Sequence, residues 1–195
     1  MADKLWAKEI IPALFMWAGT LADPWTISDA EFMRALWTII QTIVPDFKGL
    51  DDIRPGKTIF YIVLLLLFIF RMTYFLRQAS QRLCTWHSNF GSTAVAIIAH
   101  FLVSNKKMGV LSLKQVEELC SGLLKGLAVL YPNQDSEKPA NLFQSSFVLY
   151  LLGHAHLRPC AGAPDVPELN IGDPKNTGIK GALALTCAAV RTITF

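Results

Sequence analysis

TIFYIVLLLLFIFRMTYFL, Thr58 to Leu76, decides what the rest of the chain can be. From Ile62 to Phe70 it has no polar side chain. A membrane-spanning helix needs about 20 predominantly apolar residues, and this stretch comes close. Arg71 counts against insertion, costing about 2.5–3.5 kcal/mol at a bilayer centre and less near an end, where it can snorkel. The run of Leu, Ile and Phe before it offsets that cost. The flanking charges are no guide to orientation: Arg54 and Lys57 precede the stretch, and Arg77 and Arg82 follow it. Residues 58–76 therefore read as a single membrane pass, as core, or as an insert that does not belong in the mature chain.

Working outward, the pattern is helical throughout. Ser28-Asp29-Ala30-Glu31 is a capping box, with Phe32, Leu36, Ile39 or Ile40, and Ile43 on one face and Val44-Pro45 as the stop. Residues 45–57 form a loop rich in Asp, Pro and Gly. After the apolar stretch a second helix is expected from about Ala79 to Val103, with Leu83, Trp86, Phe90, Ala94, Ile97 or Ile98, and Phe101 on its stripe. Gly91 lies inside that stripe and predicts a close helix neighbour. Ser112-Leu113-Lys114-Gln115 is a second capping box, whose helix carries Val116, Leu119, Leu123, Leu127 and Leu130 and closes at Tyr131-Pro132.

Pro139 suits a first helical turn. The helix after it is expected to run to Leu152 with Phe143, Phe147, Tyr150 and Leu151 inward, and with Gly153 as C-cap. Residues 158–178, with four Pro and three Gly, read as a surface loop without a core of its own. Ile179 to about Arg191 forms the last helix.

The fold class is all-α: an irregular helical domain of about five to six helices. Residues 1–25, with Trp6, Phe15, Trp17 and Trp25 among Pro12, Gly19 and Pro24, read as an extended aromatic arm. Residues 26–195 form a single helical domain with a Pro/Gly-rich loop before the last helix.

Composition narrows the function classes. The 195 residues allow one domain with a real core, and 52% of them are hydrophobic. A net charge of +3, with Lys and Arg scattered, gives no nucleic-acid surface. The tryptophans lack the interleaved cations of a base-stacking platform. The four cysteines, Cys84, Cys120, Cys160 and Cys187, never form CxxC and read as reduced thiols in an intracellular, reducing compartment. The N-terminus does not read as a secretory signal, because mixed charge opens it and Pro12 breaks its apolar run.

Two constellations could carry chemistry. His154-x-His156-x3-Cys160 offers zinc-ligand types, but no fourth ligand stands at a suitable spacing. The alternative is a helix C-terminus where His favours the dipole. Cys84 and His87 lie one helical turn apart, as a thiolate–imidazole pair would need, yet no third orienting group accompanies them. The alternative is a packed Cys beside a half-exposed His. No phosphate loop, dinucleotide fingerprint or hydrolase motif is present. No catalytic, cofactor-binding or metal residue is assigned, and no cofactor is expected.

Three stretches together resemble a known family: WAGTLADPWTISDAE (residues 17–31), QRLCTWHSNFGSTAVAIIAHFL (residues 81–102) and FVLYLLGHAHLRPCAGAPDVP (residues 147–167). They are similar to the fungal family of unknown function numbered 6532, expanded in mushroom-forming basidiomycetes. The most specific part is the Arg82/Trp86/Phe90 pattern. The resemblance implies a helical intracellular domain and brings no activity, cofactor or catalytic residue. It points to a non-enzymatic interaction module with an unknown protein partner. The alternative is a single-pass membrane protein anchored by residues 58–76.

The chain departs from that family pattern at two places. The family runs almost directly from the loop near Phe60 into the QRL helix, and its helix after Gly178 continues where this chain stops at Phe195. Removing Val63 to Gln78 joins Phe60-Tyr61-Ile62 to Ala79-Ser80-Gln81-Arg82 and restores the first. The removed block starts with Val, whose codons begin GT, and ends with Gln, which CAG encodes. Those are the borders of a spliceosomal intron, and Leu, Phe, Ile and Tyr suit translated T-rich DNA. The block is accordingly expected to be a retained intron.

Overall fold

The computed structural model describes residues 2–45, 58–104, 112–132, 141–171 and 178–193; the side chains of 2, 3, 58–72 and 193 lie outside that description. The N-terminal segment is helical, which corrects the extended arm. Helix α1 (Ala2–Leu5), a π-helical stretch (Trp6–Ile10) and α2 (Ile11–Thr20) follow one another directly. Pro12 lies within this continuous run, directly after the π-helical stretch, so its missing N–H is a cost to the helix. The driving force is burial: Ile10, Ile11, Ala13, Leu14, Met16, Trp17 and Ala18 are all in the core, which outweighs the low propensities of Pro12 and Gly19.

Helix α3 (Asp29–Ile43) opens on the expected capping box. The Glu31 amide donates to Ser28 Oγ at 3.3 Å, and the Ser28 amide donates to Glu31 Oε2 at 3.2 Å. Phe32, Ala35, Leu36, Ile39 and Ile40 form its buried face.

Helix α4 (Thr58–Ser104) is a single element of 47 residues, so the apolar stretch and the helix expected from Ala79 are continuous. No Gly or Pro occurs between Thr58 and Phe90 to interrupt it. Its buried stripe is Ala79, Leu83, Trp86, Phe90, Ala94 and Ile98, recurring every three or four residues as helical geometry requires. Gly91 does not mark a close neighbour, since a Cβ there would meet nothing within 4 Å. Close approach occurs elsewhere. A Cβ on Gly19 would overlap the His156 ring, and one on Gly181 would press on the Leu21 carbonyl.

Helix α5 (Leu113–Leu124) has the second capping box, with the Ser112 amide 2.9 Å from Gln115 Oε1. It stops earlier than expected. Gly126 and Leu127 both take left-handed angles, with φ of 60° and 59°, inside the 3-10 stretch Lys125–Leu130. Leu127, expected inward, is therefore 49% exposed. Pro139 itself lies outside the described residues, but 141–145 form turns with Phe143 at a φ of 65°, so the helix expected to run on from Pro139 starts only at Ser146. Helix α6 (Ser146–Leu152) begins on Ser145, whose hydroxyl accepts from the Val148 amide at 3.2 Å. Phe147 and Leu151 are buried as expected, but Tyr150 is 62% exposed. Gly153 is no C-cap: it keeps right-handed helical angles, and a π-helical stretch (Gly153–Leu157) continues the axis.

The loop that follows is tied into the core rather than lying over it. Cys160, Val166 and Ile171 are buried, and Val166 and Ile171 form an isolated antiparallel bridge around a 3-10 turn (Pro167–Leu169). Helix α7 (Lys180–Ile193) closes the described chain. It packs on α2, α4 and α6, and α4 also packs on α2 and α6. The class is all-α; the described residues contain no strand beyond that bridge. Among the described residues no helix is long and apolar enough to cross a membrane. The expectation for residues 58–76 falls mostly on side chains outside the description.

Candidate functional site

Trp86 is the centre on which three helices converge. Its side chain is fully buried. Phe15 of α2 stacks on it at 5.7 Å and 13°, and Phe90, one turn along α4, meets it edge-on at 5.3 Å. The His87 ring lies 5.0 Å away, and His156 from the π-helical stretch after α6 lies at 5.7 Å. Aromatic pairs in these tilted or offset geometries are worth about 0.5–1.5 kcal/mol beyond their burial. Two π-helical stretches, Trp6–Ile10 and Gly153–Leu157, flank this cluster. Such wide turns are rare and occur frequently at functional sites.

The polar atoms in the cluster are incompletely paired. Trp86 Nε1, His87 Nε2 and His156 Nε2 are buried, with no hydrogen-bond partner among the described residues. Buried donors and acceptors without partners are uncommon in folded proteins.

The structure brings part of the expected metal pattern together. His156 Nδ1 lies 3.5 Å from Cys160 Sγ, both buried, one turn apart. Burial pushes the His156 pKa down to about 4 and the Cys160 thiol up to about 12. With no metal bound, the pair is therefore a neutral imidazole beside a protonated thiol at neutral pH. This replaces the helix-dipole reading of His156. His154 is exposed and points away from them, into a groove with His100. Among the described residues no three His, Cys, Asp or Glu side chains gather closely enough to hold a metal ion.

Cys84 and His87 occupy the expected turn of α4 but differ in setting. Cys84 is exposed, while His87 is half-buried. Desolvation lowers the His87 pKa, and the Pro24 backbone beside the ring opposes that shift. Cys187 is held up to about 11 by burial. All four cysteines are free.

Among the described residues, three concavities border the cluster or its helices. One of about 320 Å³ lies between α4 and α7, with His87, Phe90 and Gly91 in its wall. One of about 250 Å³ lies between the N-terminal helical run and α4, bordering Trp86. The largest, about 460 Å³, is a groove between α4 and α6. Thr93, Ala96, Ile97 and His100 supply one side at helical spacing, and Tyr150 and His154, four residues apart, supply the other. Sequence reading missed this groove because its α6 wall was assigned to the core.

The fold and these sites define an all-α protein with a buried aromatic–imidazole centre and an apolar groove. The chain matches no family model, no curated protein and no solved structure.

Proposed function

We propose that this protein is a non-enzymatic helical interaction module that receives a partner in the groove between α4 and α6. The carrying observation is the paired stripe Thr93, Ala96, Ile97 and His100 opposite Tyr150 and His154. Tyr150 is 62% exposed, and Leu149 and Val103 stand exposed on the same two helices. A groove with Ala96 and Ile97 at its centre and the polar tips of Tyr150, His100 and His154 along it suits the docking of an amphipathic partner element. The resemblance to the fungal family of unknown function belongs to this reading and adds no activity.

The test places a photoreactive residue at Tyr150 and compares crosslinked products in cells with and without Ala96→Glu, an exposed position in the groove. The expected outcome is a discrete protein adduct that the Glu variant loses while its melting temperature stays unchanged. No adduct, or one indifferent to Ala96→Glu, overturns the reading. An activity abolished by Cys84→Ala with the fold intact would put the protein among enzymes instead.

The continuity of α4 supports a second reading, a single-pass anchor. At 1.5 Å per residue its 47 residues extend about 70 Å. A globule of this length has a radius of gyration near 16 Å, so the helix outruns the body that its C-terminal half helps to build. Residues 58–76 then correspond to about 28 Å of helix, close to a hydrocarbon core of about 30 Å. Resistance of the full chain to alkaline carbonate extraction is expected on this reading, and complete extraction excludes it.

A further inference from the structure

The cavity of about 250 Å³ beside Trp86 has two chemically different walls. Trp6, Ile11, Pro12 and Phe15 make one of them apolar and largely aromatic. The other is a single face of α4, where Arg82, Thr85, Trp86 and Asn89 recur at helical spacing. Arg82 and Asn89 line this wall and are solvent-exposed. The Thr85 hydroxyl already donates to the Gln81 carbonyl at 2.9 Å, which leaves the outer donors to Arg82 and Asn89. The indole N–H of Trp86, in the same wall, is buried and has no acceptor among the described residues.

This combination selects a class of ligand. A cation is disfavoured by Arg82. A wholly apolar molecule would cover the Arg82 and Asn89 donors without pairing them. A polyanion would need more cations than this mouth presents. One negative charge on an apolar body satisfies both walls. A carboxylate accepts from the guanidinium fork and the carboxamide. At about 30 Å³ per water-sized group, the space suits roughly eight such groups, the size of a small monocarboxylate.

We propose that the cavity between the N-terminal helical run and α4 binds a small aromatic or branched-chain monocarboxylate. Its carboxylate rests on Arg82 and Asn89, and its apolar body lies against Trp6, Ile11 and Phe15. The site lies apart from the α4–α6 groove and does not depend on what that groove receives.

The experiment titrates full-length protein, labelled with nitrogen-15 at tryptophan, with phenylacetate and 4-methylpentanoate to millimolar concentration. Phenylacetamide, of the same shape without the charge, is the control. Trp86→Phe assigns the Trp86 indole signal. A saturating shift of that signal is expected with at least one carboxylate, at an affinity about tenfold or more above the amide, the usual weight of a charge-assisted hydrogen bond. Arg82→Gln is expected to bring the carboxylate down to the amide's affinity, and Asn89→Ala to weaken it in part. Both residues are exposed, and an unchanged melting temperature verifies that the variants stay folded. No saturating shift with either carboxylate, equal affinity for acid and amide, or undiminished binding in folded Arg82→Gln overturns the proposal.

Discussion

Protonating His156 in place would set a cation among Trp86, Gly19 and the Cys160 thiol, without water to solvate it. Unfolded, the ring takes its proton near 6.5; folded, at about 4. Below 6.5 the unfolded chain binds a proton that the folded chain refuses. Stability is therefore complete above 6.5 and falls as pH drops toward 4, by about 3 kcal/mol in all. His87, also lowered by desolvation, acts in the same direction. At the alkaline end Cys160 and Cys187 reverse the sense. Their thiols ionise near 9 when unfolded and at about 12 and about 11 when folded, so stability is lost above 9. Melting temperature against pH is expected to plateau between these limits. His156→Gln should flatten the acid limb relative to its own neutral value, and an unaltered limb would refute the assignment. Gly19→Ala tests the same contact by volume. Its methyl would overlap the imidazole, an overpacking expected to cost about 1–3 kcal/mol, read as a lowered urea midpoint. None of this was legible in the sequence, where His156 shows only its neighbours in the chain. Its burial arises from Gly19, more than a hundred residues away.

Helix beginnings were legible because caps are local. Ser28 and Ser112 each bond to a residue three positions ahead, and the pattern S-x-x-E or S-x-x-Q states that bond outright. Ser28→Ala is expected to cost about 1 kcal/mol, and an unchanged melting temperature would contradict the box. Helix ends were less legible. Gly153, a plausible terminator, continues into a π-helical stretch because Ala155 and His156 are buried beyond it. Leu127, a good helix former, takes a left-handed turn beside Gly126. That angle costs a non-glycine residue about 1–2 kcal/mol, and the buried Ala128, Val129 and Leu130 that follow hold it there. Leu127→Gly should then be neutral or stabilising, since the leucine is half-exposed. A loss above 1 kcal/mol in chemical denaturation would show that the side chain matters more than the strain. The buried stripe of α4 was readable by its period, and Trp86 lies at its centre. Trp86→Ala is expected to cost about 3–5 kcal/mol, comparable to the whole stability of a marginal domain. A native-state Trp86 open to fluorescence quenchers would refute that placement.

At the scale of the whole molecule, α4 joins the apolar stretch to the body without a break, and the status of Val63 to Gln78 bears on both ends. The side chains described within that block are not strangers to the core. Phe75 meets Trp6 at 5.1 Å, and Leu76 packs against the buried cluster. The stripe that organises the fold nevertheless begins at Ala79 and runs to Ile98, beyond the block. Removing the block shortens α4 by about 24 Å at 1.5 Å per residue and puts Ile59 and Phe60 where Phe75 and Leu76 stood ahead of Ala79. The turn of the helix changes as well. Each residue advances about 100°, so the preceding segment is rotated by about 160° relative to the body. Trp6 thus loses one aromatic neighbour, while Trp86, Phe90, Ala94 and Ile98 keep theirs. The shortened chain is expected to fold cooperatively, with a loss of about 1–3 kcal/mol from the missing contacts at Trp6. Its membrane association should disappear if residues 58–76 anchor the full chain. Far-UV circular dichroism through a thermal melt, beside transcript sequencing across codons 60–82, reads both parts. A deletion variant without a cooperative transition would show that the block is part of the body. Transcripts that all retain the block would leave the long helix as the form the cell makes, with the anchor as its use.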